Sequence, residues 1–108
     1  MKEQTLFVAQ RLSAAVLAPL VIVHVGLILL AVEGGLTAEE ILARTRGNVA
    51  WAAFYLVFVA AAAVHAPIGM RNILREWTRL DWPAIDSLAA LLFVLLLGLG
   101  MSAVFAVF

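Results

Sequence analysis

The sequence contains no cysteine and little charge. None of its 108 residues is Cys, and only 13% are Asp, Glu, Lys or Arg. Disulfides, iron–sulfur ligation by this chain and thiol catalysis are therefore excluded. The formal net charge is zero, so the chain lacks the basic character expected of a nucleic-acid-binding protein. No internal repeat, low-complexity tract or linker divides the chain, and residues 1–108 are predicted to form a single domain.

Hydrophobic residues make up 66% of the chain, and the mean hydropathy is +1.11. A soluble domain of this size could not cover so much apolar side chain with polar surface. Three apolar segments, at about residues 6–32, 49–70 and 84–108, reach the ~20 residues that a helix needs to cross a bilayer. The sequence therefore predicts an all-α, multi-pass integral membrane protein with a three-helix bundle. The first segment is too long for a signal-peptide core and is expected to be retained.

The connections between the spans predict a surface helix and an orientation. Gly34 and Gly35 end the first span, and Thr37 begins a short helix as its N-cap, extending to Thr45. Lys and Arg residues are more numerous on the N-terminal side of the predicted membrane, which favours a cytoplasmic N-terminus in a bacterial-type inner membrane. That side carries Lys2, Arg11, Arg71, Arg75 and Arg79, and the other side carries Arg44 and Arg46.

His65 is the most informative polar residue within the spans, where polar groups are functional candidates by default. Gly69 lies one helical turn further on the same face. The glycine leaves a recess in which a porphyrin could lie with the imidazole on its iron. Arg71 and Arg11 lie toward the cytoplasmic side and could pair with two haem propionates. The alternative for His65 is a neutral histidine that forms a hydrogen bond between helices.

His24 is the second candidate haem ligand, although no glycine lies four residues from it. The alternative is a histidine that bridges helices or faces water. From a rise of ~1.5 Å per residue, His24 and His65 are expected to differ in depth by roughly 10 Å. They are therefore not expected to share one iron. Either each binds a haem with a partner chain, or His24 has another role.

Gln10, Arg11 and Ser13 form a polar cluster about one turn inside the cytoplasmic face. Their side chains could bind a quinone carbonyl by hydrogen bonds. The alternative is a snorkelling arginine beside an ordinary contact of small residues between helices. No nucleophile, acid–base pair or phosphate-binding loop is evident, so neither hydrolysis nor group transfer is predicted for this chain.

Two stretches resemble the cytochrome b membrane-anchor subunit of succinate dehydrogenase and fumarate reductase. Residues 11–14, Arg-Leu-Ser-Ala, resemble the His-Arg-x-Ser-Gly opening of that family's first span. Residues 65–72, His-Ala-Pro-Ile-Gly-Met-Arg-Asn, resemble its His-x-x-x-Gly-x-Arg-His motif at the end of the second span. The sequence departs from the family pattern at Gln10 and Asn72, which replace histidines, and at Ala14, which replaces glycine.

The resemblance implies that His65 is an axial ligand of haem b and that Arg11 and Arg71 lie near propionates or quinone. His24 matches the di-haem branch of the family, so one or two haems per complex would be shared with a partner chain. Quinone would be the substrate of the complex. The implied partners are a flavoprotein subunit, an iron–sulfur subunit, lipid, and a second anchor chain or a copy of this one.

The function implied is that of a non-catalytic subunit of a respiratory-chain complex that also serves the tricarboxylic acid cycle. The chain would hold the soluble subunits on the membrane, ligate haem and help to form the quinone site. Two alternatives are a haem-free anchor that binds only quinone, and a structural subunit of another membrane complex.

Overall fold

The computed structural model describes residues 2–108, which form helices and no strand. The four helices are α1 (Glu3–Gly34), α2 (Ala38–Thr45), α3 (Val49–Trp77) and α4 (Trp82–Val107). Helices α1, α3 and α4 are long and apolar enough to cross a membrane. The bundle is 48 Å long and measures 23 by 22 Å in cross-section, a length close to the ~40–45 Å of a bilayer with its headgroups. The predicted all-α membrane bundle is confirmed.

The predicted surface helix is also confirmed, as α2. Its N-cap is Thr37, whose hydroxyl oxygen accepts a hydrogen bond from the backbone N–H of Glu40 at 3.2 Å. The Thr37 hydroxyl also lies 2.7 Å from Glu40 Oε1. Gly35 makes the turn between α1 and α2 with a φ of +101°, which glycine adopts without the steric cost that a Cβ would bring.

Helix α3 continues beyond its apolar span. The predicted span ends near residue 70, but the helix runs on through the charged residues to Trp77, so the connection to α4 is only residues 78–81. The side chains in this extension include good helix formers such as Leu74 and Glu76. Asp81 then caps α4 by accepting a hydrogen bond from the backbone N–H of Ala84 at 3.1 Å. Apolar run length therefore did not locate the end of the helix.

Helix α3 lies between α1 and α4 and packs against both. Few apolar side chains are buried within the chain, and most large ones are exposed on the outer faces of the helices. Such a surface suits lipid or further membrane chains. Helices α3 and α4 approach closely at Gly100, where an added Cβ would lie 2.5 Å from Val59 Cγ1. Gly98 faces away from the bundle, because a Cβ there would meet nothing within 4 Å.

The last residue of α2 and the turn that follows it cover the C-terminal end of α4. The hydroxyl of Thr45, a residue only 5% exposed, donates a hydrogen bond to the carbonyl of Val107 at 2.8 Å. The backbone N–H of Gly47 donates to the carbonyl of Phe108 at 3.1 Å. These bonds satisfy carbonyls that have no partner inside the helix.

Candidate functional site

His65 of α3 and Ser13 of α1 meet in the interface between the two helices. The Ser13 Oγ lies 3.3 Å from His65 Nδ1 and donates a hydrogen bond to the backbone carbonyl of Gln10 at 3.0 Å. Ser13 is 7% exposed, while His65 is partly buried. Within residues 2–108 no hydrogen bond involves His65 Nε2.

The helix face around His65 carries no side chain one turn toward the C-terminal end of α3, because Gly69 stands there. Gly69 follows one turn later on the same face, and a Cβ there would meet only Gln10 Nε2, at 3.4 Å. Gln10 Oε1 is buried and lacks a hydrogen-bond partner within residues 2–108. Gly69 thus lies on the His65 face, as predicted, and the structure brings Ser13 and the side chain of Gln10 to the same interface.

His24 lies at a different level of the same interface. Its Nδ1 is 3.0 Å from the hydroxyl of Tyr55, and its ring lies 4.9 Å from that of Phe58, centre to centre. His24 and Ser13 are eleven residues apart on α1, so at ~1.5 Å per residue the two histidines differ in depth by roughly 15 Å. The two imidazoles of one chain do not share one iron.

Arg71 is buried, with 7% of its surface exposed, and joins all three spans. Its Nη2 and Nη1 donate to the two carboxylate oxygens of Glu3 on α1, at 2.6 and 3.1 Å. Its Nε donates to Asp86 Oδ1 on α4 at 2.7 Å, and its guanidinium carbon lies 4.3 Å from the ring centre of Trp82. Arg71 points about 120° away from His65 around α3, at ~100° per residue, so the structure does not bring these two residues together.

Arg11 is exposed, and its guanidinium carbon lies 5.7 Å from the ring centre of Phe7. A recess of about 440 Å³ lies beside it, between the N-terminal half of α1 and the C-terminal half of α3. This volume is in the range of about 300–1,000 Å³ that small-molecule pockets occupy. The polar residues that line the recess are Glu3, Gln10, Arg11 and Asn72, and the apolar ones are Leu6, Phe7 and Ile68.

Sequence reasoning missed three partners that the structure supplies. Tyr55 approaches His24, and Glu3 and Asp86 neutralise Arg71. A signal for Tyr55 existed, because Trp51, Tyr55 and Phe58 recur at helical spacing on α3. A signal for Asp86 existed as well, since it is the one charged residue within the apolar part of α4. No pattern along the chain indicated Glu3.

Comparison with known proteins places the chain in one family. No curated protein and no solved structure gives a match. The model of the succinate dehydrogenase/fumarate reductase transmembrane subunit family matches residues 2–107, nearly the whole chain. The resemblance predicted from residues 11–14 and 65–72 is thereby confirmed. The chain therefore belongs to the succinate dehydrogenase/fumarate reductase transmembrane subunit family.

Proposed function

We propose that this chain is a haem b-binding anchor of a succinate:quinone oxidoreductase-type complex, with His65 as an axial ligand of the iron. The observation that supports this most directly is the free Nε2 of His65, within a membrane span and beside Gly69. Bound haem would supply a one-electron relay between the soluble subunits and quinone. The role of the chain is to hold that relay and to anchor the complex.

The available ligands suit haem better than a bare metal ion. Among residues 2–108 no group of three or more His, Cys, Asp or Glu side chains could surround a metal. Haem iron needs only axial ligands from protein, because the porphyrin supplies the others. One imidazole from this chain and one from another chain would complete the iron, since His24 lies roughly 15 Å away in depth.

We assign the first haem to His65 and do not include Arg71 in the binding site of that haem. The guanidinium of Arg71 is held by Glu3 and Asp86 on another face of α3. Arg11 is exposed near the same end of the bundle and is a cation available to a propionate or to a quinone. Ligation of a second haem by His24 stays a prediction, and ligation through Nε2 would leave the contact of Nδ1 with Tyr55 in place.

The recess beside Arg11 is the proposed contribution of this chain to the quinone site. Arg11 and Asn72 offer hydrogen-bond donors, while Phe7 and Ile68 offer apolar contact to a ring. Gln10 lines the same recess and carries a buried oxygen that has no partner in the described part of the chain, and this oxygen could accept a hydrogen bond from a quinol hydroxyl. Ser13 contributes indirectly, because its hydroxyl already contacts Gln10 and His65.

The proposed partners are those of the family's complexes: a flavoprotein subunit, an iron–sulfur subunit and a second anchor chain or another copy of this one. We place the N-terminus, and with it the recess, on the cytoplasmic side of a bacterial-type inner membrane, because Lys and Arg are concentrated at that end. In this orientation the soluble subunits would dock next to the recess, on the side where exposed Arg75 and Arg79 lie.

The test is haem content of the purified complex by the pyridine haemochrome assay. His65→Ala should remove the haem, or one haem of two, whereas His24→Ala is the matched histidine control and should retain the haem at His65. Full haem retention in His65→Ala would overturn the assignment. A wild-type complex that reduces quinone but contains no haem b would instead support the haem-free anchor.

A further inference from the structure

We propose that Ser13 is a positioning residue that holds His65 in the tautomer with its proton on Nδ1. In this tautomer the lone pair lies on Nε2, where iron can bind it. The inference rests on the proposed ligation of haem by His65. It adds a role for a residue that touches neither the iron nor the substrate.

The direction of the hydrogen bonds follows from a count of hydrogens. The backbone carbonyl of Gln10 can only accept, so its 3.0 Å contact with the Ser13 hydroxyl uses the one hydrogen that this hydroxyl carries. The same oxygen lies 3.3 Å from His65 Nδ1 and has only lone pairs left to offer. Both contacts can therefore be hydrogen bonds at the same time only if the Ser13 oxygen accepts from an Nδ1–H group.

Burial makes this arrangement hard to replace. Ser13 is 7% exposed, and it lies in the interface between two membrane helices, where water is scarce. A buried N–H group that loses its partner costs about 1–3 kcal/mol. With the proton on Nε2, the Ser13 hydroxyl would have to turn away from the Gln10 carbonyl to donate to Nδ1, so one of the two hydrogen bonds would be lost. The Nδ1–H form is thus the one that the α1–α3 interface stabilises.

His24 provides the contrast within the same chain. Its Nδ1 lies 3.0 Å from the Tyr55 hydroxyl, and within residues 2–108 that hydroxyl has no other hydrogen-bond partner. The phenol can therefore either donate its hydrogen to Nδ1 or accept one from it. The α1–α3 interface thus favours one tautomer of His65 and leaves both tautomers open to His24.

A hydrogen bond from Nδ1–H also makes the ligating nitrogen more basic. A more basic axial imidazole favours ferric over ferrous iron and lowers the reduction potential of the haem. Removal of the Ser13 hydroxyl should therefore weaken haem binding and raise the potential of the haem that remains. Loss of an outer hydrogen-bond partner typically costs about 10–100-fold in affinity.

The test compares three variants of the intact complex by haem retention, redox titration and the low-spin electron paramagnetic resonance signal. Ser13→Ala should lose haem at least about tenfold more readily than the wild type, with a raised potential and altered g values. Ser13→Thr keeps a hydroxyl that can bond to a carbonyl in the preceding turn and should restore wild-type behaviour. Ser87→Ala is the matched control, because the Ser87 hydroxyl also donates to a carbonyl, that of Pro83 at 2.8 Å, but on the exposed face of α4.

Wild-type haem retention, potential and g values in Ser13→Ala would overturn the inference. If Ser13→Ala did not assemble, Ser13→Cys would take its place, since its thiol has nearly the same shape and is a weaker acceptor. A raised potential in Ser13→Cys would support the inference and an unchanged one would overturn it. Haem retention in His65→Ala would instead refute the proposed function. Loss of haem in His65→Ala, together with wild-type behaviour of Ser13→Ala, would refute this inference alone.

Discussion

The close approach of α3 and α4 at Gly100 allows the cost of one substitution to be worked out from the structure. A Cβ at this position would lie 2.5 Å from Val59 Cγ1, 2.9 Å from Cγ2 and 3.3 Å from Cβ. Favourable carbon–carbon contacts lie at about 3.5–4.0 Å, so the nearest pair must separate by about 1 Å. Valine in a helix is held largely in one rotamer, and Val59 therefore cannot turn aside.

Gly98→Ala is the matched control for Gly100→Ala. Both substitutions replace glycine by alanine in the same helix, and each gains the same helix propensity of about 1 kcal/mol. A Cβ at position 98 meets nothing within 4 Å. The difference between the two variants therefore isolates the overlap with Val59, which should cost about 1–3 kcal/mol, as overpacking generally does.

The assay measures the free energy of unfolding of the chain in mixed micelles. Sodium dodecyl sulfate is titrated into the micelles, and unfolding is followed by far-ultraviolet circular dichroism. Gly100→Ala should unfold more readily than Gly98→Ala. In a Val59→Ala background the two methyl groups that cause the overlap are absent, so the cost of Gly100→Ala should fall, with a coupling energy of about 1 kcal/mol or more. Equal stabilities of the two glycine variants, or a cost unchanged by Val59→Ala, would refute the close approach.

Three further predictions concern the polar contacts between helices. Thr45→Val keeps the side-chain shape but removes the bond to the Val107 carbonyl, so the free energy of unfolding should fall by about 1–2 kcal/mol in the same titration. Tyr55→Phe removes the partner of His24 and should lower the free energy of unfolding by about 0.5–1.5 kcal/mol, while the haem spectrum of the complex stays unchanged. A changed spectrum would place His24 at a haem. Arg71→Met removes both ion pairs between the spans and should lower the thermal stability of the complex without loss of haem, whereas loss of haem would place Arg71 at a propionate.

Arg71 also illustrates how far a motif can be interpreted without a structure. Its position after His65 and Gly69 in residues 65–72 identified the family correctly. The structure nevertheless directs its guanidinium to Glu3, 68 positions away in the chain. A motif specifies residue types along one helix, but the neighbouring helices decide what each side chain contacts.

The sequence by itself determined the class of the protein, the three spans, the surface helix and the family. These properties depend on the length of apolar runs, on capping residues and on spacing along one helix, all of which are local. Gly69 could be placed on the His65 face for the same reason, since one helical turn separates them.

Only the tertiary structure decided which partner each polar side chain has. Ser13 and His65 are 52 positions apart, and His24 and Tyr55 are 31 apart. Both pairs depend on the register and rotation of α1 against α3. That register is set by the packing of whole helix faces, and hydropathy along a single segment carries no information about it. The structure therefore distinguishes two histidines that have similar hydropathic surroundings in the sequence, because one lies beside a serine hydroxyl and the other beside a phenol.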